Sequence, residues 1–234
     1  MTEVKDTCLQ KYSRKGNMGK FRDDLKSFQR RDPAARNGLE VFLLYSGFHA
    51  VFYYRIAHWF HNHGMKFMAR AISQFARFLT GIEIHPAAVI GRGLFIDHGS
   101  GVVIGETTEI GDYCTLYQGV TLGGTGIEQG KRHPTLEDHV LVGAGAKVLG
   151  PFRVGKHAKI AAGAVVLTEV PEYGTAVGVP AKILTGKKTY SEDEKQEEEA
   201  LDHIHIEDPV MIEIIRMEKQ IKAFEKRLKD LEKK

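Results

Sequence analysis

Aliphatic residues that return at every sixth position constrain the fold of this sequence more than any other feature. Leu136, Val142, Val148, Val154, Ile160 and Val166 keep that interval without a break. Ile84, Ile90 and Ile96 keep it upstream, and after a slip of two residues Ile104, Ile110, Leu116 and Leu122 resume it. A period of six fits neither the 3.6 of an α-helix nor the 2 of a plain strand. It fits a coil with three flat sides, each a short strand and a tight turn, whose aliphatics stack inward one coil upon the next. Two residues ahead of the aliphatic stand small or β-branched side chains, among them Ala88, Thr108, Cys114, Val120, Val140, Ala146, Ala158 and Ala164, with Phe152 the exception. These suit a narrow corner. Gly follows the aliphatic at Gly91, Gly105, Gly111, Gly143 and Gly155, where a turn asks for backbone freedom. Thirteen aliphatics in three registers weigh against a chance pattern in an ordinary sheet protein.

The segments around the repeat are built differently. Most of the 25 glycines lie between residues 81 and 186. Residues 1–81 read as a helical N-terminal domain. Phe21, Leu25 and Phe28 share one helical face, and Met65, Met68, Ile72, Phe75 and Leu79 form a second apolar stripe stopped by Gly81. Gly38 to Phe60 is apolar on most sides, which predicts a buried or interfacial helix. His49, His58, His61 and His63 in this region read as packing or surface residues. Residues 82–185 carry the repeat, and 186–209 read as a polar, acidic linker. Over 210–234, Val210, Ile214, Met217, Ile221, Phe224, Leu228 and Leu231 alternate spacings of four and three. That is a heptad seam, either an amphipathic helix on the domain or a coiled coil. The expected class is α+β, a helical domain, a parallel β-helix and a C-terminal helix.

Composition excludes several classes. A net charge of +3 with no basic stripe and interleaved aromatics argues against nucleic acid, though it is compatible with recruiting a polyphosphate such as a nucleotide or coenzyme A. The N-terminus is charged and lacks an apolar signal core. The apolar stretch from Leu39 to Phe60 is interrupted by Glu40, His49, Arg55 and His58, so no membrane span is expected. Cys8 and Cys114 are far apart and lack metal-ligand spacing, so the expectation is a cytoplasmic, reduced protein with no metal.

The repeat breaks twice, and breaks in a regular array are where function tends to be inserted. One break holds Asp97-His98-Gly99 beside the slip. In the other, Leu122 and Leu136 are fourteen residues apart where six would continue the pattern, so a loop of about eight residues extrudes. Ile84-His85-Pro86, Asp97-His98, Val102-Val103-Ile104-Gly105-Glu106-Thr107, Val120-Thr121-Leu122-Gly123-Gly124-Thr125-Gly126, Arg132-His133-Pro134 and Gly178-Val179-Pro180-Ala181 follow in order. So do Asp32-Pro33-Ala34-Ala35, Gly47-Phe48-His49-Ala50 and Tyr54-Arg55-Ile56-Ala57-His58-Trp59. Over about residues 20 to 185 the chain resembles the serine O-acetyltransferases, a family of hexapeptide-repeat acyltransferases.

The resemblance implies a left-handed β-helix and a homotrimer or dimer of trimers with sites between subunits. The period gives no handedness, and parallel crossovers are ordinarily right-handed. It also implies acetyl-CoA as co-substrate, L-serine as acceptor, cysteine as feedback inhibitor, and O-acetylserine as product in the first step of cysteine synthesis. The tail Leu231-Glu232-Lys233-Lys234 lacks the C-terminal Ile with which some members enter O-acetylserine sulfhydrylase, so that complex is doubtful for this chain. Acetylating a hydroxyl requires a base, and an imidazole titrates near operating pH. By the resemblance His98 is that base, with Glu83, where many members have Asp, orienting its ring. Arg132 grips the serine carboxylate with His133 beside it, and Asp32 and Asp97 receive the ammonium and hydroxyl. From sequence alone Asp32 serves equally well as a helix N-cap ahead of Pro33. Gly124, Ala144 and Ala162 let the pantetheine arm approach backbone, and Thr125, Lys159 and Lys182 face the nucleotide end. The rivals are a hexapeptide acetyltransferase for another small acceptor, a trimeric γ-type carbonic anhydrase using His98, His133 and His139, and a non-catalytic scaffold.

Overall fold

A computed structural model describes residues 17–124, 126 and 129–184 of the chain. Two compact units divide the chain, Met1–Thr189 and Tyr190–Lys234. The whole of the expected linker, the heptad segment over 210–234 and Thr125 lie outside the described residues. Helices α1 (Asn17–Arg31), α2 (Gly38–Leu44), α3 (Ser46–Asn62) and α4 (Lys66–Thr80) precede strands that run from β1 (Glu83–Ile84) to β15 (Lys182–Leu184).

The hexad aliphatics distribute over three parallel sheets, each aliphatic one face further on than the last. The first face aligns Ile84, Ile104, Leu122, Val148 and Val166 in register. The second aligns Ile90, Ile110, Leu136 and Val154. The third aligns Ile96, Leu116, Val142, Ile160 and Ala176. All thirteen repeat positions are at most 5% exposed, so every one points inside the prism. Burying each stabilises the fold by about 1.5–3 kcal/mol as an upper figure. The long gap resolves as expected: Ile110 pairs with Leu136 and Leu122 with Val148, so the surplus between β7 (Thr121–Gly123) and β8 (Thr135–Leu136) leaves the stack as a loop. At the far end β14 (Thr175–Val177) pairs antiparallel with β15 and closes the third sheet.

The three edges of the prism differ in chemistry. The edge from the third face to the first carries Gly119, Gly145 and Gly163 at φ 71, 72 and 69, above the wider turn that holds His98. An added Cβ at Gly145 or Gly163 would meet no atom within 4 Å, so this edge is bare backbone facing open space. The edge from the second face to the third puts Tyr113, His139, His157 and Tyr173 at φ 56 to 61, a region that β-carbons disfavour. Their rings stack in a column, with centroids 5.6, 4.8 and 4.9 Å apart, and Arg92 lies 5.5 Å from the Tyr113 centroid. Ring stacking of about 0.5–1.5 kcal/mol per pair offsets the backbone cost. The edge from the first face to the second bears the extruded loop.

Aromatic residues and polar anchors hold the helices on the coil. Phe28, Val41 and Phe48 bury themselves with Phe95 of the third face, and Phe21, Leu25 and Tyr45 pack around them. Ser27 donates to Gly93 O at 2.8 Å, Tyr54 to Ala88 O at 2.6 Å and Ser73 to Ile84 O at 2.7 Å. The segment from Gly38 to Phe60 is two helices, broken at the extended Tyr45 (φ −92, ψ 109). At Gly47 a Cβ would sit 2.1 Å from Ile96 O, so α3 starts with its backbone against the coil. The apolar stripe of α4 does not face inward. Met68, Phe75 and Leu79 are exposed, and Ala69, Ser73, Ala76 and Thr80 are buried instead. Small side chains let the helix approach closely, which bulky ones forbid. His49 bonds to Phe42 O, His58 to Pro86 O and His63 to Trp59 O, as packing histidines do. Cys114 is fully buried, and burial pushes its thiol up to about 12. Among the described residues no helix is long and apolar enough to cross a membrane.

Candidate active site

Two polar clusters flank the first face. On its incoming edge, Asp97 N donates to Leu116 O at 2.9 Å, and the chain then turns outward through His98 at φ 56. The His98 side chain is 77% exposed, free to meet a ligand, with Nε2 3.9 Å from an Asp97 oxygen. Ser46, at the start of α3, donates to His98 O at 3.4 Å. Arg31 at the end of α1 bonds to Thr115 Oγ1 at 2.7 Å and Tyr113 O at 2.8 Å, fixing the turn that follows on the coil. In that turn Asp32 accepts from Ala34 N at 2.7 Å, while the N-cap of α2 is Asn37, bonded to Glu40 N at 2.9 Å. Asp32 is thus not a helix cap. Burial, a hydrogen bond to Asp32, and the charges of Asp32, Glu40 and Asp97 push Tyr45 up to about 12. Burial and the Asp97 charge do the same to Tyr117. Asp32, Asp97 and His98 therefore share one acidic, tyrosine-lined edge.

On the outgoing edge the extruded loop folds back on the coil. Arg132 pairs closely with Glu106, whose carboxyl that hydrogen bond holds below the usual range. Lys131 donates to Thr107 O at 2.9 Å and to Glu109 at 3.0 Å. The His133 ring is buried over Gly105, where a Cβ would come within 2.0 Å of it. Desolvation first, then the charge of Arg132, lowers the His133 pKa. Gly124 packs against Arg132, where a Cβ would meet Cγ and the carbonyl oxygen at 3.1 Å. Within one chain the loop and His98 stand on opposite edges of the first face and do not meet.

Other expected residues fall as follows. Glu83 does not contact His98. Its carboxylate is paired with Arg70 at 3.3 Å and Arg77 at 3.1 Å, because α4 lies along β1 and presents both guanidinium groups there. Ala144 and Ala162 are in turns of the bare glycine edge, above His98. Lys159 lies on β12 (Lys159–Ile160) and Lys182 on β15, both on the third face. His98, His133 and His139 stand on three different edges, which removes the basis for grouping them around one ion within a chain. Thr107, Glu106 and Tyr45 belong to these clusters although the sequence pattern does not single them out. The first two were legible only as part of the Gly105-Glu106-Thr107 motif.

Comparison with known proteins gives concordant results. Residues 1–52 match the family model described as "Serine acetyltransferase, N-terminal". The chain is 50% identical over 216 residues to a serine acetyltransferase of Bacillus pumilus, covering 92% of this chain and 96% of that one. It superimposes with TM-score 0.69 on the Neisseria gonorrhoeae serine acetyltransferase in complex with serine, at 42% identity, covering 72% and 69% of the two chains. A serine acetyltransferase complex with cysteine aligns with TM-score 0.70 at 45% identity, over 72% of this chain and 70% of that one.

Proposed function

The chain belongs to the serine acetyltransferase family, and on that premise we propose how its residues share the reaction. It is a serine acetyltransferase. The acetyl group comes from acetyl-CoA, the acceptor is L-serine, and the product is O-acetyl-L-serine, which opens cysteine synthesis. The coil is left-handed, as the family resemblance implies, and three chains associate around it. The domain boundaries are 1–81, 82–185, 186–209 and 210–234, the last two segments lying outside the described residues.

The observation that carries this reading is the pairing of complementary clusters on the two edges of one face. A serine zwitterion needs cations for its carboxylate and anions for its ammonium. Arg132 and His133 supply the first, and Asp32 and Asp97 the second. Since one chain keeps these edges apart, a neighbouring chain supplies the other half across the seam. His98 takes the hydroxyl proton as the oxygen attacks the thioester carbon, then returns it to the departing sulfur. The thioester supplies the activated acetyl group. Its pantetheine arm lies along the bare edge by Ala144 and Ala162, with Gly124 facing it from the neighbouring chain's loop across the seam and Lys159 and Lys182 toward the nucleotide; Thr125, expected there too, lies outside the described residues. Glu83 orients His98 once its arginine pairs exchange; both arginines are about half exposed, and exposed pairs hold only about 0–1 kcal/mol. Cysteine competes at the serine site, supported by the solved relative that holds it.

A thiol-release assay with acetyl-CoA tests the activity. Release is expected with L-serine and suppressed by cysteine; release without any acceptor, or only with a sugar, overturns the reading. The shared seam has its own test. His98→Ala chains mixed with Arg132→Ala chains at equal ratio and reassembled should recover about one quarter of wild-type activity, because a cyclic seam then joins sound halves. No recovery would mean that each site lies within one chain.

A further inference from the structure

The hydroxyl of Thr107 sits where three groups of the extruded loop converge. Arg132 N donates to its Oγ1 at 3.0 Å and His133 N at 3.1 Å. A hydroxyl oxygen accepts two such bonds and has one proton left to give. That proton points at His133 Nδ1, 2.8 Å away. Thr107 N lies 3.2 Å from the same Nδ1, and a backbone N–H can only donate. Nδ1 is therefore an acceptor and carries no proton. In the neutral ring the proton is then on Nε2, which has no partner among the described residues. Ionisation would put a proton on Nδ1 facing the Thr107 N–H, next to Arg132 and Lys131, with Glu106 the opposing charge.

The geometry points to Thr107 as the positioning residue that fixes His133 as a neutral Nε2–H donor and holds Arg132 beside it in one rigid grip on the acceptor carboxylate. The assignment rests on the acceptor-site reading above and adds to it a division of labour between the two histidines. His133, with Nδ1 occupied, is unable to accept the serine proton and serves only as a donor. His98 is left as the base. Gly105 belongs to the same device, because its missing Cβ is the space in which the ring lies.

Two readouts test this on the full chain. In protein labelled with nitrogen-15 histidine, two-bond proton–nitrogen correlation at pH 7.5 should show His133 as the Nε2–H tautomer, its signals assigned by their loss in His133→Asn. Kinetically, Thr107→Val should raise KM for L-serine about 10- to 100-fold, the weight of a hydrogen bond near charged groups, and leave KM for acetyl-CoA within about twofold. Thr107→Ser should restore most of the loss, which a methyl-packing role would not predict. An Nδ1–H or doubly protonated His133 overturns the assignment, as does a Thr107→Val enzyme with wild-type serine kinetics. A wild-type chain with no serine-dependent thiol release, its His133 tautomer as stated, overturns instead the acceptor reading and with it the role of the grip.

Discussion

His98→Ala is expected to lower kcat by about 10²- to 10⁴-fold, the usual contribution of a positioned general base, with coenzyme A affinity nearly unchanged. The fold should tolerate the change. The side chain is 77% exposed, and its Nε2 lies 3.9 Å from Asp97, too far for a hydrogen bond. The left-handed backbone at this position (φ 56) suits histidine and asparagine better than alanine, so His98→Asn is the better-behaved companion. Both variants should show the same loss. Calorimetric titration with coenzyme A separates lost chemistry from lost donor binding. Turnover above one tenth of wild type in both would remove this imidazole as the base and move the search to another group on the same edge.

Arg55→Ala should destabilise the fold by about 3–5 kcal/mol, because it leaves a buried charge without its partner. Asp24 is 2% exposed, and Arg55 meets it with two nitrogens at 3.2 and 3.3 Å. The same guanidinium donates to Ile90 O at 2.7 Å and to Gly91 O, and Asp24 accepts from Gly93 N at 2.7 Å. One ion pair thereby ties α1 and α3 to the second-face strand and the turn after it. For a chain of this size the loss corresponds to a fall in melting temperature of roughly 6–20 °C. The pH dependence has a definite sign. Burial raises the Asp24 pKa above its unfolded value and Arg55 pulls it back. A carboxyl raised in the fold contributes stability below its unfolded pKa, and that contribution is lost as pH rises through the folded value. Without Arg55 the folded pKa climbs further, so the deficit should widen from about pH 4 toward neutrality. Melting curves of variant and wild type at pH 5 and 7.5 measure it; a deficit that is larger in acid contradicts the assignment.

The coil was legible because its signal is redundant. Each of the aliphatics predicts its neighbours, and the fourteen-residue interval announces both the loop and the register that resumes beyond it. The helical face of Phe21, Leu25 and Phe28 was legible for the same reason. On α4 the pattern located the helix and its stop at Gly81 but not its buried face, since hydrophobic periodicity shows that a helix has an apolar side but not that this side meets its own chain. Ala69, Ser73 and Ala76 face inward because a narrow prism admits close approach. The ring column was hidden, because Tyr113, His139, His157 and Tyr173 follow intervals of 26, 18 and 16 residues and occupy corners where glycine is the expected residue. Among site residues, His98, Asp97, Arg132 and His133 stood out at breaks in the repeat. Glu83 shows the limit: its arginine pairs depend on how a helix lies on a strand. Thr107 shows it again, as the three hydrogen bonds of its hydroxyl exist only after a distant loop has folded back.

The bare glycine edge also works as a gauge. Turns of successive coils are stacked at the spacing of hydrogen-bonded strands, so the three steps from the His98 turn to that of Ala162 span about 14 Å. An elongated donor laid along it is measured by the count of coils rather than by any side chain. Adding or removing one eighteen-residue coil would change the reach available to such a molecule by a fixed increment, while leaving the chemistry at its tip untouched.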